Sequence, residues 1–452
     1  MTHRLRRSAA LLAALAAAPL SATTTASAAP AEEARVLTGA LADGAAYRLE
    51  VPPAWNGTVV LYSHGLRFPG EDNPPETAAS DASRQWMLDN GYALAGSSYA
   101  GTGWAVEEAV DDQLGTLDAF TARVGAPTRT IALGESLGGL VTTALVERHP
   151  ERFDGGLSLC GLHAGGPALW DSYLDGAYVL RTLLPESGAV RITGVDDPLG
   201  NLDAAQRILS DAAATAAGRA RIALAAAVMQ VPGAVDPLAP FPADAAGRAA
   251  ARLAWMTESF PVFAFAERGE LEARAGGNPS TNVGVDYERM LRDSEQRSDV
   301  RALYRAAGLD LDDDLATLAA APRVAADPVA RTYLSAHGGL TNAPAKPLLT
   351  LHGTADGLVP SSHERAYAER AGRPELLRQA FVDRPGHCTF TSAEIVSAFG
   401  ALQERLDSGV WHVKPAFLNQ RAAELGPELN TGAGIPVAPA FVRHHPLAFP
   451  RA

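Results

Sequence analysis

Apolar positions along this chain fall into two rhythms. Residues 47–51 (Tyr47-Arg48-Leu49-Glu50-Val51) alternate apolar with polar, the two-residue period of an edge strand covered on one face. Residues 57–62 form a short continuous apolar run ending in Ser63-His64-Gly65-Leu66, which reads as a buried strand. A Pro- and Gly-rich loop over 68–75 precedes a helical stretch at 79–90, closed by Gly91 where a helix end needs positive φ. A strand at 92–99, a helix at 106–123, a strand at 130–133, a helix at 137–149 and a strand at 155–161 follow, and 347–352 and 377–382 supply two more strands much later. Strands alternating with helices of about 10–18 residues imply parallel pairing through right-handed crossovers. The predicted fold class is therefore α/β, a doubly wound, mostly parallel sheet with helices on both faces.

Between 161 and 347 the pattern is mostly helical, with apolar clusters at Leu180, Leu183 and Leu184 and at Trp255, Met256, Phe260, Phe263 and Phe265. A sheet strand ends where this stretch begins and another starts where it ends, so it is an insertion and not a separate C-terminal domain. The expected organisation is a core in two parts, 29–161 and 344–412, interrupted by a helical insertion at 162–343. From 413 to 452 the chain is rich in Pro and Gly without a strong period, which predicts either an extended strap over the surface or a partly disordered tail.

At the N-terminus Arg4, Arg6 and Arg7 precede an apolar run over 9–20 and small residues ending in Ala26-Ser27-Ala28. This is the pattern of a secretory signal peptide, 1–28, with cleavage expected near Ala28. The run is too short for a bilayer core of ~30 Å, and no cysteine follows it for lipid attachment, so no stable membrane anchor is expected. The expected location is extracellular.

Composition excludes more than it selects. With 47% hydrophobic and 20% charged residues among 452, the chain is an ordinary globular sequence. Its formal charge is −13, and loss of three arginines and no acids with residues 1–28 would take it to −16. A protein this acidic repels nucleic acid and anionic membrane surfaces, and neither is an expected partner.

Candidate chemistry centres on Gly134-Glu135-Ser136-Leu137-Gly138-Gly139, a G-x-S-x-G pattern placed between an apolar strand and a helix. A sharp strand-to-helix turn presents such a serine in a strained conformation, and glycines permit the close backbone approach around it. Backbone N–H groups at the helix start favour a developing oxyanion there.

Together with Ser63-His64-Gly65-Leu66, the run from Leu351-His352-Gly353 through Asp356-Gly357-Leu358-Val359-Pro360, and Pro385-Gly386-His387, this motif resembles the α/β-hydrolase superfamily over about 45–161 and 345–410. The resemblance implies Ser136 as nucleophile, Asp356 as the acid and His387 as general base, in the chain order usual for that fold. Among eleven histidines, His387 stands out because it follows the last predicted strand in a Gly-flanked loop, downstream of a carboxylate that itself follows a strand. His149 lies at a helix end, His444 and His445 lie in the tail, and His352 reads as a structural strand-end histidine. The resemblance further implies an oxyanion hole from the backbone N–H groups of Leu66 and Leu137.

By the same resemblance the insertion is expected to cap the strand ends, with Trp170, Tyr173, Tyr178, Trp255 and the phenylalanines either lining a pocket or forming the cap's own core. Cys160 and Cys388 are an even pair in a chain expected to be exported. The His387 loop must reach back over the strand ends near Cys160 to meet Ser136, so a disulfide between them is expected. No metal-ligand spacing, P-loop or dinucleotide fingerprint is present, and no metal or cofactor is expected. The expected function is a secreted serine hydrolase acting on a small-molecule or polymeric carboxylic ester through an acyl-enzyme, the alternative being a serine peptidase or acyltransferase with the same triad.

Overall fold

The computed structural model describes residues 34–451, and the expected signal segment 1–28 lies outside them. In the first part of the core, β1 (Arg35–Ala40), β2 (Ala46–Val51), β3 (Thr58–Ser63), α1 (Asp81–Asp89), β4 (Ala93–Ser97), α2 (Val106–Arg123), β5 (Arg129–Glu135), α3 (Leu137–Arg148) and β6 (Gly155–Leu159) follow in order. The helices α4 (Gly166–Leu183), α5 (Pro198–Ala214), α6 (Ala216–Val228), α7 (Ala245–Glu258), α8 (Arg268–Ala275), α9 (Tyr287–Asp293), α10 (Arg297–Ala307), α11 (Leu311–Ala320) and α12 (Pro328–Gly338) make up the insertion. Then come β7 (Leu348–Ala355), α13 (Ser362–Arg370), β8 (Leu377–Pro385), α14 (Ser392–Ser408), α15 (Pro415–Glu424) and a final short strand, β9 (Phe441–Val442).

The sheet runs β1-β2-β4-β3-β5-β6-β7-β8-β9. Strands β4, β3, β5, β6, β7 and β8 pair in parallel, while β1, β2 and β9 are antiparallel additions at the two edges. Every residue of β3 and of β6 is buried, because both faces of a parallel sheet are covered, and the apolar centre of β3, Val59 to Tyr62, carries that signal in the sequence. One apolar core unites a face of the sheet with the insertion, around Leu61, Val141, Leu174 and Met256. A second lies beneath α14 and α15, around Leu133, Leu351 and Phe399, and a small third one joins Leu348, Tyr367 and Leu377.

The tail differs from the extended strap that its composition predicts. It contains α15, and Phe441 and Val442 pair with Val382 and Phe381 on β8. Its last turn is tied to the insertion, because Arg451 Nε donates to Asp175 Oδ2 at 2.6 Å and Nη2 to the Asp171 carbonyl at 2.9 Å. Among the described residues no helix is long and apolar enough to cross a membrane.

Parallel strands share one direction, so β3, β5, β6, β7 and β8 all end on the same edge of the sheet. Residues from 64 to 388 that follow those strands therefore meet in one place, the usual position of a binding site in such folds.

Candidate active site

Ser136 sits between β5 and α3 at φ 57° and ψ −121°, a backbone conformation that an L residue holds only when its surroundings impose it. The surroundings are close backbone crossings. A Cβ on Gly134 would lie 2.4 Å from the Gly138 carbonyl oxygen, one on Gly138 would lie 2.0 Å from the Ser63 carbonyl oxygen, and one on Gly139 would lie 2.8 Å from Gly161 Cα. Each glycine of the motif thus has a steric reason to be glycine.

His387 follows β8 through Gly386, at φ 91°. Its Nε2 is 2.7 Å from Ser136 Oγ and its Nδ1 is 2.6 Å from Asp356 Oδ2. Asp356 is an acceptor, so Nδ1 carries the proton and Nε2 is left to accept from the serine hydroxyl. Asp356 follows β7 after a break in the β7–β8 register between Gly353 and Ala355. Its second oxygen, Oδ1, accepts from the Leu358 and Val359 N–H groups at 2.9 Å each. These bonds fix a fully buried carboxylate so that Oδ2 points at the histidine.

Cys160 and Cys388 form a disulfide. It joins the end of β6 to the residue after His387. On the opposite wall, a Cβ on Gly65 would lie 3.4 Å from Ser136 Cβ, so the backbone after β3 passes directly beside the serine. His64 is stacked on Tyr99 with ring centres 4.0 Å apart, and the Tyr99 hydroxyl donates to the His64 carbonyl at 3.0 Å. Burial pushes the His64 imidazole below its ordinary pKa, as suits a residue that braces the loop.

Ser136 and His387 open into a cleft of about 320 Å³ that Gly65, Leu66 and Leu137 also line. Its walls are apolar and rich in rings, with Phe68 and Trp104 from the core and Trp170, Tyr173 and Phe263 from the insertion. Phe263 is delivered by a π-helical turn over Val262–Glu267, an irregularity that frequently marks functional positions. The one carboxylate in the lining is Glu135, which burial pushes above the usual range.

Two clusters among the described residues bring three possible ligand atoms within 4.8 Å of one another. In Cys160, His387 and Cys388 both sulfurs are consumed by the disulfide. In His163, His352 and Glu364 the histidine nitrogens facing the carboxylate already lie 2.7 and 3.1 Å from it.

No family model matches the chain. A curated relative, the o-phthalyl amidase of Xanthobacter agilis, is 32% identical over 418 residues, covering 82% of this chain and 87% of the relative. The chain belongs to the family of that amidase, and its mostly parallel sheet with flanking helices has the α/β-hydrolase fold. Solved structures similar to this chain include an esterase from Aspergillus oryzae, 14% identical with a TM-score of 0.42 over 84% of this chain and 80% of the other. They also include a proline iminopeptidase from Mycobacterium smegmatis, 13% identical with a TM-score of 0.36 over 87% and 100%.

The fold brings together Ser136, Asp356, His387, Leu66, Leu137 and the two cysteines singled out from the sequence. The insertion aromatics divide. Trp170, Tyr173 and Phe263 reach the cleft, while Tyr178, Phe260 and Phe265 are buried away from it and Trp255 packs against Gly357, beside Asp356. Tyr178 donates its hydroxyl to the Leu318 and Ala321 carbonyls, and Phe260 contacts both Trp255 and Phe265. Phe68, Trp104 and Leu162 went unnoticed in the sequence, although Phe68 stands two residues after the Gly65-Leu66 loop and that proximity was available as a signal.

Proposed function

We propose that this α/β-hydrolase is a secreted serine hydrolase that cleaves small carboxylic esters through an acyl-enzyme on Ser136. The observation that carries the proposal is the unbroken line Asp356–His387–Ser136, with contacts of 2.6 and 2.7 Å, opening into an apolar cleft. Ser136 Oγ attacks the ester carbonyl and passes its proton to His387 Nε2. Asp356 holds the ring and stabilises the imidazolium. The N–H groups of Leu66 and Leu137 receive the oxyanion, each being worth on the order of 3–4 kcal/mol of barrier. His387 then gives its proton to the departing alcohol, and a water activated by the same ring releases the acid.

The rings of the cleft suit an apolar, ring-bearing acyl or alcohol group. The signal pattern over 1–28 and the Cys160–Cys388 bridge support the extracellular location.

A second reading, hydrolysis of an amide, is favoured by the relationship to the Xanthobacter agilis amidase. A fluorophosphonate probe is expected to label the wild-type protein and not Ser136→Ala. Failure to label the wild type, or equal labelling of the variant, removes the nucleophile from Ser136. A matched pair of substrates, an aryl ester and an anilide of the same aromatic acid, separates the two readings, and turnover of the anilide alone would replace the first by the second.

A further inference from the structure

Asp356 is in contact with a second buried histidine. His352 Nε2 lies 3.6 Å from Asp356 Oδ2, the oxygen that also faces His387. Its own hydrogen bonds determine its charge. Nε2 is 2.7 Å from the Val359 carbonyl oxygen, and Nδ1 is 3.1 Å from Glu364 Oε1. A carbonyl oxygen only accepts. Glu364 is likewise committed as an acceptor, since Thr350 Oγ1 and Gln379 Nε2 both donate to its Oε2 at 2.6 Å and His163 Nδ1 lies 2.7 Å from its Oε1. A ring with acceptors at both nitrogens needs a proton on each, because a neutral ring would set one lone pair against another in a site without exposure to solvent.

Several other titratable groups pack around His352. His163 turns Nε2 toward the Ser158 hydroxyl at 2.9 Å, which itself donates to the Gly139 carbonyl, and Nδ1 toward Glu364 Oε1 at 2.7 Å. His363 accepts at Nδ1 from the Ala164 N–H, and burial together with the neighbouring His352 and His163 pushes it down to about 3. His444, in the tail, is also pushed down by burial. Burial holds the Tyr173 and Tyr367 phenols neutral. Burial alone would raise Glu364, but His163 and His352 outweigh it and hold the carboxylate well below its usual range. For His352 burial is the largest single influence and opposes the charge, but the hydrogen bond and charge of Glu364, the charge of Asp356 and the Val359 carbonyl together outweigh it and raise the imidazole above its ordinary range.

We propose that His352 is a positioning residue, a buried imidazolium that links Glu364 to Asp356 and sets the proton affinity of His387 from behind the acid. The proposal rests on Ser136, His387 and Asp356 acting as proposed above. The line of charge runs Glu364 (negative), His352 (positive), Asp356 (negative), His387. With the cation in place, Asp356 attracts a proton on His387 less strongly than an unscreened carboxylate would. The Asp356 carboxylate keeps its orientation.

Two measurements test this. Ring ¹⁵N shifts of His352, on protein with labelled histidine, are expected to remain those of an imidazolium up to about pH 8, well past the ordinary histidine range. A neutral ring at that pH overturns the proposal whether or not the protein has hydrolase activity. In His352→Gln, kcat is expected to fall about tenfold with KM little changed, and the acidic limb of kcat/KM is expected to move up by about half a pH unit or more. In the double variant His352→Gln/Glu364→Gln both charges are gone, so the limb is expected to return toward the wild-type position. A limb that stays in place in folded His352→Gln overturns the proposal. If the fluorophosphonate test fails while the ¹⁵N shifts show an imidazolium, the function of Ser136 falls and the charge on His352 stands.

Discussion

Cys160 and Cys388, separated by 228 positions in the chain, are bonded with their Cα atoms 5.3 Å apart. Cys160 is held in the sheet by its own N–H, which donates to the Leu351 carbonyl at 2.7 Å, so the bridge ties the residue after His387 to the central sheet. Closing so long a loop constrains the unfolded chain strongly, and losing such a bridge typically costs about 2–5 kcal/mol. Cys160→Ala/Cys388→Ala is expected to unfold at lower denaturant concentration. Because the His387 loop is released as well, kcat is expected to fall more than KM rises. Urea titration and steady-state kinetics on an ester check both.

Gly138→Ala is expected to be among the most damaging single-methyl additions in this protein. The added carbon would lie 2.0 Å from the Ser63 carbonyl oxygen and 2.5 Å from that of His64, so β3 and α3 must separate and the loop carrying Leu66 must move with them. A destabilisation of about 1–3 kcal/mol and loss of fluorophosphonate labelling are expected. Gly188→Ala, where nothing lies within 4 Å of the added carbon, serves as the control and is expected to leave labelling unchanged.

Phe263 joins the cleft from the π-helical turn, with its ring centre 6.0 Å from Phe68 and 5.9 Å from Tyr173. Phe263→Ala removes one apolar wall and leaves the hydrogen bonds of Ser136, His387 and Asp356 in place. For an ester of an aromatic acid, KM is expected to rise about tenfold with kcat nearly unchanged, whereas an acetyl ester, too small to fill the cleft, is expected to show little change. Equal effects on the two esters would place the acyl group elsewhere.

Asp112 on α2 accepts from the Ala100 N–H at 2.8 Å. Burial, followed by the hydrogen bond with Asp43, pushes its carboxyl from 3.8 up to about 7. The folded protein therefore holds a proton that the unfolded chain releases. Its contribution to stability is fully present below about pH 4 and is lost as the pH rises toward about 7. Asp112→Asn, which keeps an acceptor for Ala100, is expected to flatten that part of the stability profile and to be more stable than the wild type at pH 8. Urea midpoints at pH 5 and pH 8 for both proteins decide it, and parallel profiles would contradict the shift.

Much of the sheet was legible because its central strands carry their own signal. The apolar run predicted at 57–62 is β3, and the helix predicted at 106–123 matches α2 at both ends. Parallel strands covered on both faces need continuous apolar residues, and the steric demands of the turn at Ser136 need the glycines around it, so both leave marks in a few consecutive letters. The edges left weaker marks. β1 is only partly covered, its residues alternating between half-buried and exposed, and β9 has two residues, so neither contains enough period to be recognised.

By itself the sequence determined an α/β sheet interrupted by a helical insertion, and the order in which the serine, the aspartate and the histidine follow its strands. These follow from local periodicity and from turn chemistry, which act between neighbours in the chain. Only the tertiary structure decided which aromatics of the insertion face Ser136, because Trp170 and Tyr178 are equally apolar and differ in what the fold sets opposite them. The same holds for His352, which reads in the sequence as a structural strand-end residue. Its charge is set by Glu364 twelve positions away and by the Val359 carbonyl, and a side chain's protonation depends on the atoms placed around it in space.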